Sequence, residues 1–464
     1  MRWAPVLILM TVAAGWAADP ESETPKPPPA YLPLRFNEDY SRLASPDVHI
    51  DAFDTLKYLR LRTDDPTWYL SFGGELRERV EITSNPDFGL GGRRDGYLLQ
   101  RITLQADLHL GERVRLYVEG ISGLIWDEDS PPPPVQDDPA DLQFAFLDVV
   151  PILMGEQKLT VRFGRFGMSL GSGRLVATRA APNIPFKFDG GELLYEANGW
   201  QAQAFLTRPG EERTNGFDQE DDDTTFWGVY LTHWFDAKKK SGLDLYYLGL
   251  ARENSVYASG QATQHRHTTG VRSFGEAGGW DWNLEGALQF GSFGEDRILA
   301  WTGSIDAGYS WKNAPWKPRL GLKFDVASGD RNPNDGHQET FDALFFKSGY
   351  FNDASLLRPS NIIDVHPSVS FEPAPRLEVS GGVDVFWRYS TQDAIYDPAG
   401  FIEVSPTENR SRYLGTALDV NVSWRVQRHA LLSSSYVYFL TDNFIHSAGG
   451  GGVGFFSGTV TLEF

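Results

Sequence analysis

Phe455-Phe456-Ser457-Gly458-Thr459-Val460-Thr461-Leu462-Glu463-Phe464 decides the fold. Every second residue, Phe456, Gly458, Val460, Leu462 and Phe464, is apolar, and Ser457, Thr459, Thr461 and Glu463 between them are polar. A repeat of two marks a strand with one greasy and one wet face. An end strand in a soluble sheet would show the same alternation. The aromatic residue at the end favours a barrel, because the last strand of a Gram-negative outer-membrane barrel typically stops this way, and the rest of the chain adds to that. Val460, Leu462 and Phe464 are the residues expected to be read by the barrel assembly machinery.

The same alternation recurs upstream. Leu70, Phe72, Leu76, Val80 and Ile82 oppose Glu75, Arg77, Arg79 and Glu81. Ile102, Leu104, Ala106, Leu108 and Leu110 oppose Arg101, Thr103, Gln105, Asp107 and His109. Val114, Leu116 and Val118 oppose Arg115, Tyr117 and Glu119. Late in the chain, Leu377, Val379, Val383, Val385 and Trp387 oppose Arg376, Glu378, Asp384 and Arg388, and Leu414, Leu418, Val420, Val422 and Trp424 oppose Asp419, Asn421, Ser423 and Arg425. Charge on the inner face of nearly every strand fits a transmembrane antiparallel β-barrel, apolar outside and polar inside. After the first 17 residues no long apolar run remains, so a membrane location requires a closed barrel, in which no backbone group faces lipid unpaired. The runs from Trp68 to Phe464 number about eighteen, an even count that returns the carboxyl terminus to the periplasm.

Connections alternate in length. Gly111-Glu112, 154–157, Asn198-Gly199, 236–242, 372–375 and 427–429 are short; 83–96, 126–140, 167–189, 208–223, 328–361 and 390–410 are long. Short periplasmic turns and long outer loops produce this pattern. Trp68, Trp126, Trp280, Trp301, Trp311, Trp316, Trp387, Trp424, Tyr436 and Tyr438 stand near strand ends, as interfacial girdles do.

The amino terminus reads as a secretory signal over residues 1–17: Arg2, an apolar core from Pro5 to Val12, and a small-x-small site at Gly15-Trp16-Ala17. Residues 18–66 form a periplasmic segment with Pro25, Pro27, Pro28, Pro29 and Pro33, which exclude a helix or a central strand there. Its later part, from Arg35, is a small cap or a piece tucked into the barrel. Residues 67–464 are the barrel, in the outer membrane of a Gram-negative cell after signal cleavage.

Forty-two Lys and Arg against 62 Asp and Glu give a net charge of -20, which argues against a nucleic-acid partner. Cys is absent, so there are no disulfides or thiolate metal sites, and no metal or cofactor is expected. His265 and His267 lack partner ligands. The acidic run from Asp218 to Asp223 reads as a solvated outer loop, with divalent-cation binding through its oxygens as the alternative. No nucleophile elbow and no His pair spaced with a Glu occurs, so an enzyme is not expected.

Arg77, Arg79, Arg101, Arg115, Arg162, Arg272, Arg319, Lys323, Arg376, Arg388 and Arg425 share lumen parity. Guanidinium forks pair bidentately with carboxylates, so such a stripe can hand a polyanion from one group to the next. For each of them the competing reading is a salt bridge that braces a wide barrel.

Several pieces in order resemble the alginate export family of outer-membrane porins. They are Lys158-Leu159-Thr160-Val161-Arg162-Phe163-Gly164-Arg165-Phe166, then Gly171-Ser172-Gly173-Arg174, Asn183-Ile184-Pro185-Phe186-Lys187-Phe188-Asp189-Gly190-Gly191, Leu344-Phe345-Phe346-Lys347-Ser348-Gly349-Tyr350-Phe351, and Leu357 to Pro367. The resemblance implies an eighteen-stranded barrel that exports an acidic polysaccharide such as alginate, with lumen Arg and Lys drawing the uronate carboxylates. It adds Arg165, Arg174 and Lys187 to the substrate-path residues, although Arg165 has outward parity if its strand continues. The sequence departs from the pattern at Gln143, where the alginate porin carries an Arg, and in its many lumen-parity acids. The partners implied are an anionic polysaccharide, outer-membrane lipid and lipopolysaccharide, the assembly machinery and periplasmic export components. Two alternatives stand beside export: a selective porin for small anionic solutes, and an outer-membrane hydrolase.

Overall fold

A computed structural model describes residues 31–90, 94–127, 134–214, 216–406 and 409–464; the expected signal and the run Pro25 to Pro29 lie outside them. The alternating segments become eighteen strands: β1 (Trp68–Ser84), β2 (Arg94–Leu110), β3 (Val114–Trp126), β4 (Asp138–Met154), β5 (Gln157–Phe166), β6 (Phe188–Ala197), β7 (Trp200–Glu211), β8 (Thr224–Trp234), β9 (Gly242–Tyr257), β10 (Gly260–Ala277), β11 (Trp280–Phe293), β12 (Asp296–Ser310), β13 (Arg319–Ala327), β14 (Ile362–Ala374), β15 (Leu377–Arg388), β16 (Tyr413–Gln427), β17 (Ala430–Thr441) and β18 (Val453–Glu463). Each pairs antiparallel with the next, and β18 closes the ring on β1, with Leu462 opposite Leu76 and Val460 opposite Glu78. Closure leaves no edge, which is the condition for a sheet to sit in lipid.

The outer face is apolar because one parity of every strand supplies it. Leu104, Phe163, Leu206, Leu288, Leu299 and Val420 are exposed there, as are Val460 and Leu462 of the closing strand. Trp126, Trp280, Trp301, Trp311, Trp316 and Trp424 are exposed near strand ends. At one rim the turns are mostly short; at the other lie the long loops 167–187, 212–223, 328–361 and 389–412. Two connections at the long-loop rim, 258–259 and 294–295, are themselves only tight hairpin turns.

The barrel is not an open tube. Its inner wall supplies Phe188, Phe205, Phe226, Tyr230, Tyr246 and Leu248, and these pack on Leu170, Leu175 and Val176 of the β5–β6 loop and on Phe341, Leu344, Phe345 and Phe346 of the β13–β14 loop. The two loops join backbone to backbone: Phe345 N donates to Leu175 O at 2.8 Å and Ala177 N to Phe345 O at 2.9 Å. Burying each large apolar side chain stabilises this inward fold by about 1.5–3 kcal/mol.

Two parity expectations fail for local reasons. Arg376 is not on a strand; it lies exposed in the turn before β15 with φ 61. Leu414, expected outside with Leu418, is fully buried in the inner core. The β15–β16 register jumps from Phe386 opposite Gly415 to Trp387 opposite Tyr413, so Leu414 is the extra residue of a bulge and turns inward.

Residues 31–66 lie across the short-turn rim. Arg35 donates to Gly74 O (3.2 Å) on β1 and to Phe464 O (2.8 Å) beyond β18. Phe36 is buried against Tyr117, Phe144 and Phe146 of the wall. Lys57 is buried without a hydrogen bond, beneath the rings of Tyr31, Tyr40 and Phe464.

Candidate functional site

The lumen-parity bases are mostly committed to partners. Arg101 pairs with Glu75 (2.8 Å), and Arg115 grips Asp107 with two bonds of 2.7 Å and also donates to Phe36 O. Arg162 takes Asp148 bidentately (2.7 and 2.9 Å) and Glu192 (3.0 Å), and lies over the ring of Phe146. Arg272 pairs with Asp244, and Arg425 with Glu463. Arg77 donates to Ala180 O and Pro182 O, and so holds the β5–β6 loop to the wall. Arg388 is fully buried and donates to the carbonyls of Ser411, Asn409 and Thr391, which shapes the β15–β16 loop. Some of the acids that interleave the stripe, Glu75 and Asp107 among them, are its partners, whereas Asp384 and Asp419 pair with His366.

Arg165 follows Gly164, which faces Gly190 across β5 and β6; their φ values are 130 and 154. A Cβ on Gly164 would stand 2.2 Å from Ala145 O, so only glycine permits this approach. Arg165 then pairs bidentately with its cross-strand neighbour Asp189 at 2.9 Å. Lys187, at the end of the β5–β6 loop, is fully buried between Asp141 and Asp218. Gln143, in the place of the expected Arg, is also fully buried and donates to Pro185 O (2.8 Å).

One segment of the β13–β14 loop folds into the lumen. Tyr350 OH donates to Asp325 (2.7 Å) and its carbonyl accepts from Lys323 (2.7 Å), while Arg174 contacts both Tyr350 and Asp325. Asn352 donates to Asp384 (3.1 Å). Asp353 accepts from Arg79 (3.0 Å) on β1 and from Ser457 (2.7 Å) on β18. Residues 350–353 thus form a latch tied to β13, β15, β18 and β1 of the wall. On its short-turn side lies a cavity of about 880 Å³ with Arg319, Lys323, Lys347, Asp281, Asp306 and Glu378 in its wall. On its long-loop side lies one of about 590 Å³ with Tyr97, Arg179, Phe186 and Glu403. Arg79, Ser348 and Asp353 belong to both walls.

A third cavity, about 300 Å³, opens toward the long loops and shares Arg179 with the second. Arg179, Arg252 and Arg358 line it, facing Asp342. Arg358 donates to Asp342 at 2.5 Å and Arg252 lies 3.8 Å from it. Burial alone would raise the Asp342 carboxyl, but the guanidiniums of Arg358, Arg252 and Arg266 hold it well below the usual range. Arg179 has no carboxylate partner among the described residues; its Nε donates to Phe346 O at 3.3 Å. Burial, with Arg358 and Arg252 nearby, pushes Arg179 down to about 10. Its backbone sits at φ 51, a costly conformation for a non-glycine residue. Lys347, on the loop just before the latch, likewise faces its cavity without an acid partner among the described residues. Parity reasoning missed these four because none lies on an alternating strand face it scored. The dense apolar run Leu344-Phe345-Phe346 beside Lys347 was the available signal, since such a loop must pack inside.

The sequence profile of the alginate export family matches residues 68–455. The chain belongs to the alginate export family. Similar solved structures are outer-membrane porins: OccAB1 of Acinetobacter baumannii (TM-score 0.59, 12% identity, covering 89% of this chain and 99% of that one) and OccK11 (OpdR) of Pseudomonas aeruginosa (0.56, 13%, 85% and 96%). OccK2 (OpdF) of Pseudomonas aeruginosa, solved in complex with glucuronate, is similar to the same degree (0.56, 12%, 85% and 98%). No curated protein matches the sequence. This alginate export family member is thus an eighteen-stranded outer-membrane porin.

Proposed function

We propose that this porin exports an anionic, alginate-like exopolysaccharide through its lumen, from the short-turn rim in the periplasm to the long-loop rim outside. The observation that carries the reading is the excess of Arg179, Arg252 and Arg358 over the carboxylates of Asp342 and Asp221 in the outer cavity, with Arg179 paired to neither. A guanidinium without an acid partner is free to meet a uronate, and three close together can exchange one. Lys347 extends the cationic path into the inner cavity, while the paired arginines, Arg115, Arg162 and Arg319 among them, brace the wall. The partners of the reading are the polymer, the surrounding lipid and lipopolysaccharide, the barrel assembly machinery and periplasmic export components.

A second reading, passage of small anionic solutes, is favoured by one observation: the inward loops divide the lumen into cavities of about 300 to 880 Å³, sized for small ligands. Planar-bilayer recordings separate the two. Wild type should prefer anions, and Arg179→Glu with Arg252→Glu should lower that preference and weaken block by a polyuronate more than block by a neutral glucan. Cation preference in wild type would remove the acidic substrate. Block by glucuronate alone, with none by the polymer, would install the small-solute reading.

A further inference from the structure

Most of the acidic run in the β7–β8 loop faces solvent, but Asp218 is buried. It meets Asp138 and Asp141, both buried at the start of β4, and oxygen atoms of the three carboxylates lie within 4.8 Å of one another. Asp141 Oδ1 accepts from Asp218 N (3.1 Å), and Asp218 Oδ1 from Arg213 N (2.6 Å). Lys187 Nζ serves the other oxygens of these two, at 2.7 Å from Asp141 and in contact with Asp218. One ammonium facing three carboxylates leaves two negative charges uncompensated. Arg165 does not supply the difference, since it stands 3.8 Å from Asp141 and is committed bidentately to Asp189.

Asp138 is the second, independent observation. It is 1% exposed, and its Oδ2 has no hydrogen-bond partner. A buried carboxylate oxygen left without a partner costs free energy unless a proton or a cation meets it. We propose that Asp138, Asp141 and Asp218 form a divalent-cation site at the long-loop rim. Its donors are all oxygen, the chemistry of calcium or magnesium rather than of softer metals. The ion would tie the β7–β8 loop to the start of β4 beside the Lys187 end of the β5–β6 loop. Lys187 would remain as a fixed competitor that keeps the affinity modest, on the order of 0.1–1 mM as in other extracellular calcium modules. The site is independent of what crosses the channel.

The test uses the full chain refolded into detergent free of lipopolysaccharide, stripped with chelator and titrated with calcium alone. Uptake is followed by equilibrium dialysis, and barrel stability by the temperature at which heat-modifiable gel mobility is lost. Wild type should bind one calcium per chain and unfold at higher temperature with it. Asp138→Asn and Asp218→Asn should lose both effects, and Lys187→Met should bind several-fold more tightly. No uptake by wild type, uptake by both asparagine variants equal to wild type, or unchanged or weaker binding by Lys187→Met would each overturn the proposal. If one asparagine variant does not fold, the other and the lysine variant still decide.

Discussion

Replacing Asp353 by Ala should loosen the latch inside the lumen. Asp353 accepts an ion-paired hydrogen bond from Arg79 at 3.0 Å and a hydroxyl bond from Ser457 at 2.7 Å. Both partners are largely buried: the Arg79 side chain is 10% exposed and Ser457 2%. A hydrogen bond to a charged group contributes about 1.5 kcal/mol at the low end of its range. Losing both weakens closure by about 3 kcal/mol, a shift of roughly 150-fold in the ratio of closed to open latch. Arg79 keeps Glu81 at 2.5 Å, so the variant does not strand a buried charge and the barrel should fold normally. In single-channel recordings the ratio of time in the larger-conductance state to time in the smaller should rise by that order. Arg79→Met should act in the same direction, and the double variant should be less than additive because the two residues share one bond. Traces indistinguishable from wild type, with heat-modifiable mobility intact, would show that residues 350–353 do not restrict the path.

Two further expectations concern the short-turn rim. Burial and the nearby Arg35 push Lys57 down to about 7, far below its ordinary value, so between about 7 and 10.5 the undocked segment holds more protons than the docked one. Docking of residues 31–66 should therefore strengthen as pH rises through that window and be weakest below 7; limited proteolysis should cut the segment faster at low pH, and Lys57→Met should flatten the profile. Phe464→Asp should block insertion, since its ring packs on Gly74 of β1 and near Phe53, and unchanged gel mobility and yield would refute the assembly role.

The strands were legible because lipid outside and water inside impose a period of two on every one of them. That rule reached β18, β1 and β2 without error, and it failed at Leu414 and Arg376, where a bulge and a turn break the period. The filled interior was harder to see. Phe341, Phe345 and Phe346 alternate with nothing, because they answer to each other and to Phe188 and Phe226 across the lumen. The basic stripe was legible as residues but not as chemistry. Parity placed Arg162 and Arg115 inside, but the pairing with Asp148, Glu192 and Asp107 depends on register between strands. Arg179 and Lys347, which face cavities without an acid partner among the described residues, came from loops, where no periodic rule applies.

Arg35 also sets an order of events during folding. The contact between β1 and β18 is the one strand pairing in the ring that no hairpin makes local, and Arg35 spans it from a position 429 residues away from Phe464. Neighbouring hairpins can zip in sequence, each over a short stretch of chain, whereas this seam must wait until the whole cylinder has curled round. The guanidinium has nothing to bridge until Gly74 and Phe464 are side by side. Ordering of residues 31–66 is thus a receipt issued only to completed barrels, and their resistance to protease distinguishes a sealed cylinder from one that has inserted but still gapes.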